Sequence, residues 1–328
     1  MTPAQTIKAN LTELSRQRAN RRKWVLYAAL LLVALIAPFL AYPVFLMKIL
    51  CFALFACAFN LLLGYAGLLS FGHAAFLATG GYYTGYVISQ NSVTPEVGIL
   101  IGTFAATVLG TFMGVLSIRR QGIYFAMITL ALAQMVFFFY LQADFTGGED
   151  GMHGIDRGHL FGLIDLSNNL SMYYFVLAVF LFGFLVIQRT IHSPFGQVLK
   201  AIRENEARAT SLGYNTDAYK LVAFVLSAAL AGLAGSTKTV VFQLASLTDA
   251  HWHMSGEVVL MTLVGGVGTL FGPLVGAAFV VTVEHQLSQS ALGDWVNVIL
   301  GLIFVICVLT FRAGIVGEIQ KFMKSNFK

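Results

Sequence analysis

The feature that most constrains this chain is a succession of apolar runs, each about 20 residues long, with short polar segments between them. One run extends from Val97 to Ile118 and is closed by Arg119 and Arg120. A helix of about 20 apolar residues crosses the roughly 30 Å hydrocarbon core of a bilayer. Only 11% of the residues are charged, well below the roughly 25% of a soluble domain. The sequence therefore predicts an all-α polytopic membrane protein built as one helical bundle.

Eight apolar runs are assigned as full membrane spans. They lie at residues 24–45, 49–69, 73–89, 97–118, 123–141, 172–187, 221–241 and 295–311. The chain between residues 256 and 286 must start and finish on the same side, which needs two further passes. The first of these, 257–268, would be a helix of about 18 Å, which is too short to cross. We predict a discontinuous, re-entrant pair that turns at Gly272–Pro273, and about ten membrane segments in all.

The distribution of charge indicates the orientation of these segments. Residues 1–23 contain six Lys or Arg against one acid, and further basic residues cluster at 119–120 and after residue 311. Since Lys and Arg accumulate in cytoplasmic loops, both termini are predicted to be cytoplasmic. The predicted parts are a basic cytoplasmic arm at 1–23, a transmembrane domain at 24–312 with a cytoplasmic loop at 189–220 and an acidic periplasmic loop at 142–171, and a cytoplasmic tail at 313–328.

Two glycine-interrupted segments resemble each other. Residues 64–72 read GYAGLLSFG and residues 265–272 read GGVGTLFG, so both place glycines three apart before Phe-Gly. Such interruptions at corresponding places are a sign of a substrate path, because free backbone groups are tolerated in a membrane only around a cavity or within protein. Close helix packing through small residues is the alternative. We favour a path, whose candidate residues are Gly64, Gly67, Ser70, His73, Glu257, Gly265, Gly266 and Gly268.

Ionisable and polar residues lie beside these interruptions. His73 could line the path or hydrogen-bond a carbonyl of a neighbouring helix, and the sequence leaves both readings open. Ser255 suits the N-cap of the second interrupted segment, which would place Glu257 in a first turn where the helix dipole favours negative charge. Lys238, near the outer end of the seventh span, is predicted to snorkel to the interface.

The loop after the sixth span predicts a short amphipathic helix in the cytoplasm. Ser193 suits its N-cap, Pro194 its first position and Gly213 the position after its end. Glu204 and Arg208 have the spacing of an i, i+4 pair. The apolar stripe consists of Val198, Leu199, Ile202, Ala209 and Leu212. This helix either lies on lipid or docks in a groove on a motor subunit.

The ordered motifs resemble those of a known family. In ABC importer permeases, the loop that contacts the ATPase carries Glu-Ala-Ala, three residues, then Gly. Here Glu206-Ala207-Arg208 stands seven residues before Gly213, so one residue is added and Arg replaces the second Ala. Together with segments 60–76, 146–151 and 255–277, this set resembles the branched-chain amino-acid ABC transporter permeases of the LivM type. The resemblance covers about residues 25–315.

The resemblance implies a permease of the hydrophobic amino acid uptake family in a bacterial inner membrane. It implies a second homologous permease subunit, two cytoplasmic ABC ATPase subunits and a periplasmic solute-binding protein, for which the outer loop is a candidate docking surface. No nucleic acid is expected. ATP would act in the partners, since the chain has no Gly-x4-Gly-Lys-Ser/Thr loop, so no cofactor, metal or catalytic residue is expected here. Contacts to the ATPase would come from Leu199, Ile202, Glu204, Glu206, Ala207, Arg208 and Gly213.

Three alternatives stay open. A permease for urea, short amides or other small acids would carry similar motifs, since much of the selectivity resides in the binding protein. An ion-coupled secondary transporter would be expected to carry paired carboxylates in the membrane, and the central spans contain almost none. An intramembrane metalloenzyme could use His251 and His253, but two histidines without a third ligand are a weak signal.

Overall fold

The computed structural model describes residues 29–91, 93–290, 293–310 and 314–318. The predicted arm at 1–23 lies outside these residues, and so does the predicted tail at 313–328 except for residues 314–318. The described chain is mostly helical, and its helices follow the order of the predicted spans.

The helix bounds are α1 (Ala29–Leu40 in its described part), α2 (Pro43–Asn60), α3 (His73–Asn91), α4 (Pro95–Ser117), α5 (Ile123–Gln142), α6 (Asn169–His192), α7 (Pro194–Glu204), α8 (Glu206–Ser211), α9 (Thr216–Phe242), α10 (Trp252–Gly265), α11 (Gly272–Ser288) and α12 (Val296–Thr310). A π-helical turn, Leu61–Ala66, continues α2 directly. Short 3-10 turns lie at Asp144–Thr146, Leu247–Ala250 and Gly293–Trp295.

Within the described part of the chain, five helices are long and apolar enough to cross a membrane, judged by length and composition. They are α2 with its π-helical turn, α4, α5, α6 and α9. The first predicted span, 24–45, is not a single helix, because α1 ends at Leu40 and α2 begins at Pro43. Proline lacks an N–H and disfavours a helical conformation in the residue before it. The half-helix predicted at 257–268 differs from the observed helix in its bounds: α10 has 14 residues, begins at Trp252 and ends at Gly265.

The centre of the described chain is formed by α3, α4 and α9, which pack on one another. Contacts group residues 29–46 into one compact unit and the described residues from 47 onward into a second, which contains this centre. Small residues allow the close approach: a Cβ on Gly80 of α3 would lie 2.2 Å from the carbonyl oxygen of Gly232 in α9. A Cβ on Gly232 would in turn lie 2.2 Å from the Cβ of Ala106 in α4. Three backbones therefore meet at one level, as small-residue packing in membranes requires.

The predicted periplasmic loop is folded and attached to the helix ends. Strand β1 (Met152–His153) pairs antiparallel with β4 (Leu244–Ala245), which follows α9. Strands β2 (His159–Leu160) and β3 (Ile164–Asp165) form a hairpin. Arg157 donates to Asn169 Oδ1 at 2.8 Å and to the Val241 carbonyl at 2.6 Å.

Acidic groups of this loop are also engaged. The backbone N–H of Ser167 donates to Asp165 Oδ1 at 2.8 Å, and this bond holds the pKa of Asp165 below its usual range. Glu96, in the first turn of α4, accepts from the backbone N–H of Phe161 at 3.1 Å. The loop is therefore a defined surface at the end of α4, α6 and α9.

The packing at Gly232 yields a first prediction. Gly232→Ala should lower the thermal unfolding temperature of the purified chain, because α4 and α9 must separate to admit the methyl group, at a cost of about 1–3 kcal/mol. The matched control is Gly256→Ala in α10, where an added Cβ meets nothing within 4 Å. Equal unfolding temperatures for the two variants would contradict the packing described here.

Candidate functional site

The first predicted interruption is a break between two helices inside the bundle. The π-helical turn ends at Gly67, whose φ of +75° is one that L residues rarely adopt. The chain then runs without helix to Gly72, and α3 begins at His73. The interruption therefore falls where the glycine pattern predicted it.

Three backbone N–H groups at this break donate to hydroxyl side chains. The N–H of Phe71 donates to Thr129 Oγ1 of α5 at 3.1 Å, and that of Gly72 donates to Ser70 Oγ at 3.1 Å. The N–H of Ala74 donates to Ser255 Oγ of α10 at 3.0 Å. Unpaired backbone groups are costly in a membrane, so these hydroxyls are what permits the break.

Ser255 is not the N-cap of α10, which was its predicted role. The N-cap of α10 is His251, whose Nδ1 accepts from the backbone N–H of His253 at 3.4 Å, and Ser255 lies within the helix. Its hydroxyl serves α3, a different helix. The sequence showed a residue suited to a cap, but the helix starts at Trp252, four residues before the start that a cap at Ser255 implies.

His73 is held inside the bundle. It is fully buried, and its Nε2 lies 2.8 Å from Ser227 Oγ of α9. The Ser227 hydroxyl gives its single proton to the carbonyl of Ala58 at 2.6 Å, so His73 must be the donor to Ser227. The ring of Phe59 meets the imidazole edge-on at 4.8 Å. Of the two open readings, a bond to a neighbouring helix is the one seen, and it reaches a carbonyl through Ser227.

The two interruptions lie against each other. The side chain of Asn60, the last residue of α2, donates through Nδ2 to the carbonyl of Thr269 at 2.9 Å and accepts through Oδ1 from the N–H of Gly268 at 2.9 Å. A Cβ on Gly64 would lie 2.7 Å from the Gly268 nitrogen. We call this pair of bonds the Asn60 clamp. A polar residue inside an apolar run was the signal that could have identified Asn60.

The second interruption is a tight turn between α10 and α11. Gly266, with φ of +122°, follows the end of α10, and a Cβ on Gly265 would lie 1.9 Å from the Gly272 carbonyl oxygen. Thr269 Oγ1 donates to the Gly266 carbonyl at 2.8 Å and accepts from the N–H of Gly272 at 3.0 Å. Of the predicted path residues, the structure thus groups Gly64, Gly67, Gly265, Gly266 and Gly268 around one junction.

The segment predicted to be cytoplasmic reaches this junction through Arg203 of α7. Arg203 Nη1 donates to the carbonyl of Gly64. Its Cγ would lie 2.9 Å from a Cβ on Gly67, and its Nη1 would lie 3.1 Å from a Cβ on Gly268. One guanidinium therefore touches both interruptions. The sequence analysis did not select Arg203, because basic residues are common in a cytoplasmic loop.

The predicted cytoplasmic helix is two helices. Ser193 caps α7 and Pro194 is its first residue, as predicted. The chain leaves the helix at Asn205, with φ of −159°, and the Asn205 side chain caps α8 by accepting from the N–H of Arg208 at 2.9 Å. Asparagine competes with helical backbone bonds in this way. The predicted i, i+4 pairing of Glu204 with Arg208 is therefore wrong, because the two residues belong to different helices.

The apolar stripe faces this chain's own bundle. Leu199 is 0% exposed and Ile202 is 3% exposed, and α7 packs on α6, α9 and the π-helical turn. These two side chains are thus unavailable as direct contacts to another subunit in this conformation, which corrects their predicted role. The predicted contact residues that stay exposed are Glu204, Ala207, Arg208 and Gly213.

Glu206 is the remaining predicted contact. Its Oε1 lies 2.5 Å from Nζ of Lys220, which also lies 3.2 Å from Asp217 Oδ1. The Lys220 side chain is buried, so the pair ties α8 to the start of α9. Leu212, just beyond α8, is 70% exposed. The stripe therefore holds the two helices on the bundle. The exposed residues of α7 and α8 are mainly polar, and the exposed apolar residues among them and directly after α8 are Pro194, Ala201, Ala207 and Leu212.

An apolar cleft of about 460 Å³ opens beside the first interruption. Its walls are the non-helical stretch after the π-helical turn and the beginning of α5, namely Gly67, Leu68, Leu69, Phe71, Gly122, Ile123, Phe125, Ala126, Met127 and Leu130. This volume is within the range of small-molecule pockets. Gly67 is the predicted path residue on its wall.

Glu257 lies apart from the junction. It is near the start of α10, whereas the junction follows the end of that helix, and it lies among charged side chains of α2, α9 and α11. Lys238 does not simply snorkel, since it pairs with Asp249 and lies 5.3 Å from the centre of the Phe52 ring. Among the described residues, no group of three or more His, Cys, Asp or Glu is arranged to hold a metal.

These features define the class as a polytopic helical membrane protein with two interrupted segments joined at one point. A sequence model of the permease component of branched-chain amino acid transport systems matches residues 41–308. The chain belongs to this family.

Individual relatives agree with the family assignment. The chain is 26% identical over 279 residues to the high-affinity branched-chain amino acid transport system permease protein LivM of Escherichia coli K12, covering 78% of this chain and 65% of that protein. It is 24% identical over 311 residues to the probable branched-chain amino acid transport permease protein LivM of Methanocaldococcus jannaschii, and the match covers 79% of this chain and 88% of that protein. It is 22% identical over 290 residues to the permease protein LivH of Salmonella typhimurium, and the match covers 82% of this chain and 93% of that protein. No solved structure matches the chain.

The Asn60 clamp yields a second prediction. Asn60→Leu should lower the thermal unfolding temperature, because it leaves the Gly268 N–H and the Thr269 carbonyl without partners, at a cost of about 1–3 kcal/mol for each group. Gln134→Leu in α5 is the control, since Gln134 Nε2 is buried without a partner among the described residues. If Asn60→Leu and Gln134→Leu had the same unfolding temperature, the Asn60 clamp would not contribute to stability.

Proposed function

We propose that this chain is the membrane permease subunit of an ATP-driven importer for branched-chain, hydrophobic amino acids. The observation that carries the proposal is the contact of Arg203, on a cytoplasmic helix, with both interrupted segments of a chain in the permease family. A cytoplasmic helix joined to the broken segments can transmit displacement to them, because packed elements move between discrete arrangements and do not deform continuously. The apolar cleft beside Gly67 suits an aliphatic side chain.

The proposed topology has ten membrane segments with both termini in the cytoplasm of a bacterial inner membrane. The five long apolar helices, together with α1, α3 and α12, supply eight, and α10 with α11 supplies the discontinuous re-entrant pair. With its 14 residues, α10 would be about 21 Å long. This is shorter than the roughly 30 Å hydrocarbon core. Unlike α1 and α12, which adjoin residues outside the described ranges, α10 is described at both ends, so its length supports a re-entrant segment.

The proposed partners are a second homologous permease subunit, two cytoplasmic ABC ATPase subunits and a periplasmic solute-binding protein. ATP would be bound by the ATPases, and this chain would hold no cofactor and catalyse no reaction. The revised docking face for the ATPase is the exposed side of α7 and α8, formed by Glu204, Ala207, Arg208, Leu212 and Gly213. Leu199 and Ile202 become positioning residues that hold α7 in place. The folded loop at 142–171 would receive the binding protein.

Copurification of the full chain from its native membrane tests this proposal. An ATPase subunit should be recovered with the wild-type chain, and Leu212→Asp should reduce that recovery at least about tenfold without changing the unfolding temperature, since it adds a charge to the centre of a docking face. The control is Leu163→Asp, a leucine that is 87% exposed on the outer loop.

The outcomes separate the parts of the proposal. No ATPase with the wild-type chain would contradict the importer. Equal recovery with both variants would contradict the docking face alone. Uptake of labelled leucine should be lost in cells that lack the chain. In cells that contain it, an excess of urea should not reduce leucine uptake.

An ion-coupled carrier remains the second candidate function. The sequence analysis found almost no paired carboxylates, yet Glu257 and Glu284 interact inside the bundle, and such pairs serve ion-coupled transport. Leucine uptake that survives ATP depletion but is abolished by a protonophore would favour this candidate. Under the importer proposal, ATP depletion abolishes uptake.

A further inference from the structure

Five charged side chains gather at the end of the bundle where the outer loop is attached. Four of them lie on helices, near the start of α2 and α10 and near the end of α9 and α11. The fifth lies in the 3-10 turn that follows β4. We call them the outer charge cluster, and its members are Lys48, Lys238, Asp249, Glu257 and Glu284.

Two ion pairs account for four of these groups. Lys238 pairs with Asp249, and both side chains are largely buried. Lys48 Nζ lies 3.3 Å from Glu284 Oε2, and this pair is more accessible to solvent. Glu257 is the fifth group. Its Oε1 is inaccessible to solvent and has no hydrogen-bond partner among the described residues.

The cluster therefore holds one carboxylate more than its lysines can neutralise. Glu257 interacts electrostatically with Glu284, which repels its charge, and with Lys48 and Lys238, which are already paired. A buried carboxylate without a compensating partner is costly inside a membrane protein. The described residues do not offer a group of three or more metal ligands here. An ammonium group, with three N–H donors, is a ligand that could satisfy this oxygen.

The side chains around Glu257 suit a ligand that carries a carboxylate and an apolar group as well as an ammonium group. Lys48 is the more accessible lysine and its bond to Glu284 is the longer of the two pairs, so it can accept a second carboxylate. The ring of Phe52 lies between the lysines, 5.9 Å from Lys48 Nζ and 5.3 Å from Lys238 Nζ, and it adds an apolar surface.

We propose that the outer charge cluster is a reception site for a zwitterionic α-amino acid, in which Glu257 binds the α-ammonium group and Lys48 binds the α-carboxylate. This inference rests on the proposed function and assigns recognition of the two charges of its substrate to particular residues. Urea and short amides carry neither charge, so the cluster has no matching group for them. The site lies at the opposite end of α10 from the junction with Arg203, which places it at the outer entrance of the proposed path.

Binding of labelled leucine to the full-length chain in lipid nanodiscs tests the inference, by scintillation proximity without the binding protein. Glu257→Gln should weaken leucine binding at least about tenfold, since charge-assisted hydrogen bonds contribute about 1.5–3 kcal/mol. The control is Glu149→Gln, which removes the same charge from an exposed position on the outer loop and should stay within about twofold of wild type.

Competitors identify the role of each charge. In the wild-type chain, 4-methylpentanoate, which lacks the ammonium group, and urea should compete poorly with leucine. Lys48→Gln should remove the preference for leucine over 3-methylbutylamine, which lacks the carboxylate. This second variant keeps the test decisive if Glu257→Gln does not fold, as judged by its unfolding temperature.

Each result supports or overturns the inference. Equal leucine binding by wild type and Glu257→Gln, or equal competition by 4-methylpentanoate and leucine, overturns it. A wild-type chain that recovers an ATPase and supports leucine uptake but binds no leucine in nanodiscs overturns the inference and leaves the proposed function intact. A chain that neither recovers an ATPase nor supports leucine uptake overturns both.

Discussion

A helix that breaks inside a membrane must have its freed N–H and C=O groups satisfied by other parts of the protein, and this requirement determines most of the contacts around the junction. At the first break, hydroxyl groups of Ser70, Thr129 and Ser255 serve the start of α3. At the second, Thr269 closes the turn and Asn60 joins it to α2. Polar bonds, and not apolar packing alone, thereby join α2 and α3 to α5, α10 and the α10–α11 turn, which lie far along the chain.

The same requirement explains the position of α7 and α8. The Gly64 carbonyl accepts from Arg203, whose helix is seated on the bundle by Leu199 and Ile202. An arginine can serve this purpose because its long apolar stem packs over Gly67 while its charged end stays near water. Burial of the apolar stripe and the hydrogen bond of Arg203 therefore both attach α7 to the bundle.

The sequence predicted the fold where long-range contacts do not decide the outcome. The span at 123–141 matches α5, and the glycine patterns predicted the ends of the π-helical turn and of α10. A periodic apolar stripe shows that one face of a helix is covered, but it does not identify the covering surface. For this reason Leu199 and Ile202 were assigned to contacts with an ATPase subunit, whereas they pack on the bundle of this chain. Thr129 and Ser227 could not have been selected, because single hydroxyl residues are ordinary in helices and their roles arise only from residues far along the chain.

The geometry of the Asn60 clamp has a mechanical consequence. Both of its hydrogen bonds are made by one planar amide, so a rotation of that side chain breaks them together. The two bonds are therefore coupled, because neither can persist once the amide has turned. After such a turn, Arg203 would be the remaining polar side chain, among the described residues, that contacts both interrupted segments at the junction.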